Sequence, residues 1–96
     1  MRSRRQSSLA NSLEMIPVIT LSATGYKVKG TQKADLIWSG ATSADVDVYR
    51  DDNKISTTAN DGSYTDNINR KGRDSYTHKV CQAGTSTCSN VATVTF

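Results

Sequence analysis

The stretch 75-SYTHKVCQAGTSTCSNVATVTF-96 holds the only two cysteines of the chain and decides how the rest is read. In "SYTHKVCQ" the residues Tyr76, His78 and Val80 recur at every second position, which puts them on one face of a strand. Ala92, Val94 and Phe96 do the same at the end. Between these runs Cys81 and Cys88 flank "QAGTST". They are either a chemical device or a staple across two strands. A redox pair is usually C-x-x-C at the start of a helix, where the thiolate is stabilised. A structural zinc site takes four ligands, commonly with two cysteines in a short knuckle. Here Cys81, Cys88 and His78 offer three at most, and strand parity turns His78 and Cys81 to opposite faces. Opposed positions across a hairpin bring their Cα atoms within about 5.5 Å, inside the bridging range. The reading is a hairpin disulfide, worth about 2.5 kcal/mol for so short a loop. Disulfides persist in oxidising compartments. The expected location is extracellular, whether secreted, periplasmic or at the cell surface.

A direct Cys81–Cys88 pairing raises a register conflict. It turns Val91 inward opposite His78, whereas alternation favours Ala92, Val94 and Phe96. A one-residue bulge near Ser89–Asn90 reconciles the two.

Upstream the same period of two continues. "VITLSAT" (18–24) is a first strand, and "GYKVKG" extends its edge. "KADLIWS" (33–39) places Ala34, Leu36 and Trp38 together, and "DVDVYR" (45–50) places Val46 and Val48 together. "DDNK" then marks a tight hairpin, because Asp and Asn tolerate the left-handed conformation. "KISTT" is the return strand, and "NDG" at 60–62 is the next turn. "SYTDNI" (63–68) aligns Tyr64, Asp66 and Ile68 before "RKG" at 70–72 turns the chain again. Short strands at this spacing predict an all-β, seven-stranded antiparallel β-sandwich over residues 18–96. Its inward set is Ile19, Leu21, Ala34, Leu36, Trp38, Val46, Val48, Ile55, Ile68, Tyr76, Val80, Val94 and Phe96. Each large member contributes about 1.5–3 kcal/mol on burial, and conformational entropy offsets most of that.

Residues 1–17, "MRSRRQSSLANSLEMIP", differ in character. They lack the apolar run of a signal peptide, and Leu9, Leu13 and Ile16 support no more than a marginal helix. A disordered lead-in, a linker or an appended remnant is expected, with Pro17 at the border. No run of 18 apolar residues exists, so no membrane-spanning helix is expected. The net charge of +3 sits largely in the first segment, leaving nine Lys/Arg against eight Asp in 18–96. So even a balance argues against a nucleic-acid surface.

Taken together, Pro17 before an alternating first strand, Trp38 ending the second and "YTHKV" near the end resemble a fibronectin type III-like, immunoglobulin-like domain. In that family a Trp on the second strand fills the space between the sheets, and a Tyr at the start of the sixth sends its hydroxyl to the preceding loop. Trp38 and Tyr76 match those positions. "DVDVYRDDNKI", "ANDGSYTDNI" and "YTHKVCQAGTSTCSN" are similar to the C-terminal accessory modules of secreted bacterial subtilisin-like proteases. The resemblance implies a non-catalytic spacer or substrate- or surface-binding module. Its expected partner is a parent catalytic domain or an extracellular polymer or protein, and a monomer is expected. An independent extracellular binding protein is the alternative.

Direct tests for chemistry give little. His78 is the only histidine, and it sits mid-strand where a packing role outweighs a general base. Neither G-x-S-x-G nor H-E-x-x-H occurs. The carboxylates of Asp51, Asp52, Asp61 and Asp66 lack the spacing of a calcium loop and read as solvated turn residues. No catalytic residue, metal ligand or cofactor is therefore assigned. The structural set is Leu36, Trp38, Val48, Tyr76 and Val80 with the Cys81–Cys88 bridge. Candidate binding loops at one end of the sandwich are Gly40, Ala41 and Thr42; Asp51, Asp52 and Asn53; and Gly84, Thr85 and Ser86.

Overall fold

A computed structural model of the chain describes residues 18–96, so the expected lead-in over 1–17 lies outside the described residues. The described residues form seven strands: β1 (Thr20–Val28), β2 (Thr31–Ser39), β3 (Asp45–Arg50), β4 (Asn53–Ala59), β5 (Ser63–Asn67), β6 (Ser75–Gln82) and β7 (Ala92–Thr95). They divide into a three-stranded sheet, β1-β2-β5, and a four-stranded sheet, β4-β3-β6-β7. Every pairing is antiparallel. The two runs "VITLSAT" and "GYKV" are one strand, paired with β2 from Thr20–Ser39 to Val28–Thr31. No helix among the described residues is long and apolar enough to cross a membrane.

One core joins the two sheets. Leu21, Ala34, Leu36 and Trp38 come from the first; Val46, Val48, Tyr76, Val80 and Val94 come from the second. Alternation explains this division, since each strand sends every second side chain inward. Ile55 and Phe96, also expected inside, are only partly buried and pack against the rim of the cluster. Phe96 meets the Tyr76 ring edge to face, with centroids 5.9 Å apart, and lies over Gly25, where any larger side chain would displace it.

The turns follow their residues. Asp51 and Asp52 both take positive φ, 52° and 67°, as a two-residue hairpin with strand-compatible twist requires. The register of the final hairpin slips as the two constraints on it demand. Cys81 faces Cys88 in an isolated bridge, yet further along His78 faces Ala92 and Tyr76 faces Val94. One extra residue therefore sits on the second strand. Ser89 still donates its N–H to Val80 O at 2.8 Å, so the bulge falls at Asn90–Val91, and Val91 turns out to solvent. The Ser89 hydroxyl accepts the Val80 N–H at 3.0 Å and donates its own O–H to Asn90 O at 2.8 Å. The backbone donor disturbed by the bulge is thus satisfied by a side chain.

Candidate functional site

Three regions carry the polar chemistry of the domain: the ends of the sandwich and a buried cluster between the sheets. The disulfide lies near one end. Cys81 and Cys88 are joined, with Cα atoms 3.9 Å apart. Gln82 N–H donates to Thr87 O and Ser89 N–H to Val80 O on either side. The cysteines thus occupy a non-hydrogen-bonded pair, the closer of the two kinds in an antiparallel ladder. Cys81 is buried on the outer face of its sheet beside Asp47, and Cys88 is half-buried.

Two of the candidate loops meet at this same end. Gln82 Oε1 accepts both the N–H and the hydroxyl of Thr42 at 2.8 Å, which ties loop 39–44 to the end of β6. Asn60 reinforces the tie, donating to Ala41 O and Ser43 O while its Oδ1 accepts the indole N–H of Trp38 at 2.9 Å. Gly84 N–H reaches Asp47 Oδ2, and Thr85 caps its own turn through Gln82 O. Gly40 has φ +96°, and a Cβ there would lie 2.1 Å from Val18 O, so this glycine serves the close approach of the backbone at Val18. The third candidate loop is not with the others. Asp51, Asp52 and Asn53 stand at the opposite end, where Asp51 N–H donates to Thr77 O near the start of β6. The grouping of all three loops at one end is corrected accordingly: β3 is antiparallel to its neighbours, so its two ends cannot share a pole.

Between the sheets lies a polar cluster of Arg50, Asp66 and His78. Arg50 Nη1–H donates to both carboxylate oxygens of Asp66 at 2.8 and 3.0 Å, and His78 Nε2–H donates to Asp66 Oδ2 at 2.8 Å. Burial pushes the Asp66 carboxyl up, but the His78 hydrogen bond and the charge and hydrogen bonds of Arg50 outweigh it. Its pKa is held below the usual carboxylate range. Asp66 is thus not a solvated turn residue. It lies on β5, and the period that aligns Tyr64, Asp66 and Ile68 points it inward. His78 is 1% exposed, and its Nδ1 has no hydrogen-bond partner. An Asp–His pair is half of a nucleophilic device, but this imidazole is closed to any substrate. It holds a carboxylate and a guanidinium in place.

A second buried hub, missed in the sequence, is Gln32 at the start of β2. Its Oε1 accepts the Tyr76 hydroxyl at 2.7 Å, and its Nε2–H donates to Gly72 O at 3.1 Å. Its backbone bonds Arg70 O and Asn69 N–H. The Tyr76 hydroxyl also lies 3.2 Å from Asp74 Oδ2, in the loop preceding β6, the direction the resemblance implied, although its shorter bond is to Gln32. Burial and then Asp74 raise the Tyr76 pKa above its ordinary value. Glutamine at an inward strand position is the signal that was available, since a buried amide must find partners. Asp47, on the outer face of β3, accepts the Thr57 hydroxyl and the Gly84 N–H, which lower its pKa.

The outer face of the β2–β5 pair carries an open depression of about 430 Å³ lined by Asp35, Leu36, Ile37, Ser63, Tyr64 and Thr65. Its carboxylate, Asp35, already accepts the hydroxyls of Tyr26 and Thr65. Among the described residues no group of three His, Cys, Asp or Glu side chains is placed to hold a metal ion. Comparison with protein families, curated proteins and solved structures gave no match to this chain.

Proposed function

We propose that the chain is a non-catalytic accessory module of an exported bacterial hydrolase, a protease by the resemblance of its motifs, acting as a spacer or as a substrate- or surface-engaging domain. One observation carries this reading: the sole histidine is sealed in the core and spends its Nε2–H on Asp66. The chain has no other imidazole to run acid–base chemistry at neutral pH. The fibronectin type III-like assignment is supported by the division of strands into β1-β2-β5 and β4-β3-β6-β7, with Trp38 and Tyr76 in the shared core. Export is supported by the Cys81–Cys88 bridge. The experiment is a panel of peptidase, glycosidase and esterase substrates against the purified chain. No turnover is expected; turnover that co-purifies with the folded domain and survives a second purification tag overturns the proposal.

The alternative reading, an independent extracellular binding protein, draws on the pole where Gln82 gathers loop 39–44 beside loop 82–87. Thr42, Thr85 and Ser86 there are small and polar, without an aromatic platform for stacking on sugars.

A further inference from the structure

The cations of the domain are not spread evenly. Of the nine Lys and Arg residues in 18–96, six belong to the β1–β2 turn region and the β5–β6 loop: Lys27, Lys29, Lys33, Arg70, Lys71 and Arg73. The two segments are neighbours. Lys27 pairs with Gln32 in the β1–β2 ladder, and Gln32 bonds through its backbone to Arg70 O at 2.8 Å and Asn69 N–H at 3.0 Å. Strands lie about 4.8 Å apart, so the backbones of Lys27 and Arg70 are separated by about 10 Å across Gln32. Gln32 Nε2–H holds Gly72 O in the middle of 70-RKGR-73, and Lys33 Nζ donates to Asn69 Oδ1. Hydrogen bonds from the start of β2 therefore fix where this loop sits.

Five of the six, Lys27, Lys29, Arg70, Lys71 and Arg73, are exposed, and none of the six forms a salt bridge among the described residues. The carboxylates closest in the chain, Asp35 and Asp74, offset two of these six charges and leave the two segments at +4. Asp51 and Asp52 also stand toward this end, but on the β3–β4 turn of the other sheet. Asp51 there accepts the Thr77 N–H, and Asp52 pairs with Lys79. A nearly neutral domain thus presents a basic pole.

We propose that this pole binds an anionic polysaccharide, carboxylated or sulfated, outside the cytoplasm. A cluster of cations in excess over its carboxylates suits a polymer with repeating negative charge, which it binds by releasing counterions. The disulfide selects the compartment where such polymers are met. Single-stranded nucleic acid would call for several aromatic side chains on which successive bases stack, and this pole exposes a single tyrosine, Tyr26. A lipid surface would call for a broad apolar face beside the charges, and this end of β1 offers only Tyr26 and Val28. The proposal rests on the extracellular reading above, but on the opposite pole from the loops at 39–44 and 82–87.

The test is titration of the full chain with polygalacturonate and with dextran sulfate at several salt concentrations. Binding that weakens with salt is expected for at least one polymer. The K27Q/R70Q/K71Q/R73Q variant, all exposed positions, is expected to lose about tenfold or more in affinity. It should also make the dependence of log K on log salt shallower, because fewer counterions are released. A control, K54Q/K79Q, is expected to change affinity less than about twofold, since both cations lie on the other sheet outside the two basic segments and Lys79 is already paired with Asp52. Binding to neither polymer overturns the proposal, as does an equal loss in the control. Tighter binding to oligothymidylate reassigns the pole to nucleic acid, and binding only to phosphatidylglycerol vesicles reassigns it to lipid; either overturns it. Loss confined to an R2Q/R4Q/R5Q variant overturns it too. Enzymatic turnover by the chain would sink the accessory reading while leaving the polymer titration to stand or fall by itself.

Discussion

Strand β6 is held at both ends, and by different means. At its C-terminal end Cys88 is joined to Cys81 by a covalent bond. Toward its N-terminal end Tyr76 is held by Gln32, a residue 44 positions away whose amide also gathers the loop at 69–72. The covalent tie acts chiefly by restricting the unfolded chain, and its worth depends on the loop it closes. The glutamine acts in the folded state, where four groups depend on one side chain and its backbone. Removing the side chain takes the main partner from the buried Tyr76 hydroxyl and releases the loop at Gly72, and an unpaired buried polar group costs more than its bond contributes. The hydrogen-bonded end is therefore expected to be the more sensitive one, although the other end carries the stronger bond.

Four measurements sharpen or break that comparison. Gln32→Leu keeps the bulk but leaves Gly72 O without its donor and Tyr76 with only Asp74. A loss of about 2–4 kcal/mol in urea unfolding is expected, and a loss below about 1 kcal/mol would remove the asymmetry. Reducing the disulfide, or the C81A/C88A variant, should cost about 2.5 kcal/mol while the far-ultraviolet circular dichroism of the oxidised protein persists. A protein that unfolds on reduction would make the covalent end dominant.

Asn90→Ala probes how the bulge is anchored across the sheets. Asn90 Oδ1 accepts the Leu21 N–H at 2.8 Å and its Nδ2–H donates to Leu21 O at 2.9 Å, imitating a strand partner for the start of β1. A loss of about 1–2 kcal/mol is expected, with faster amide exchange at Leu21; unchanged exchange there would contradict the role.

The smallest effect concerns pH. The Asp66 pKa is lowered in the fold, so its contribution is fully present above the unfolded value and is lost as pH falls through the folded one. The midpoint of thermal unfolding should stay level from about pH 7 to pH 5 and fall below about pH 4. Asp66→Asn should make that fall shallower without abolishing it, because Asp47 is shifted in the same direction. An identical acid limb in the variant would exclude Asp66 as its source.

The legible parts were those with local causes. Alternation exposed the inward sets of 34–38, 46–48 and 76–80, and the Asp51–Asp52 pair marked a turn with positive φ. Even the bulge could be anticipated, because cysteine pairing and apolar alternation disagree by one residue between Cys88 and Ala92. The polar assignments were less legible. Asp66 resembled any other surface carboxylate until β5 brought it beside Arg50 and His78, from elsewhere in the chain. The even mixing of charge held for composition but not for space, because the β5–β6 loop folds back onto the β1–β2 end.

The sequence by itself determined an all-β chain, its inward faces, its turns and its hairpin disulfide. Each follows from side-chain period, backbone preference or a short covalent loop. Only the tertiary structure decided that Gln32 anchors Tyr76, that two candidate loops share a pole while the third does not, and that six cations gather at one end. Those facts depend on which strand lies beside which, and a period of two is the same for every order of strands.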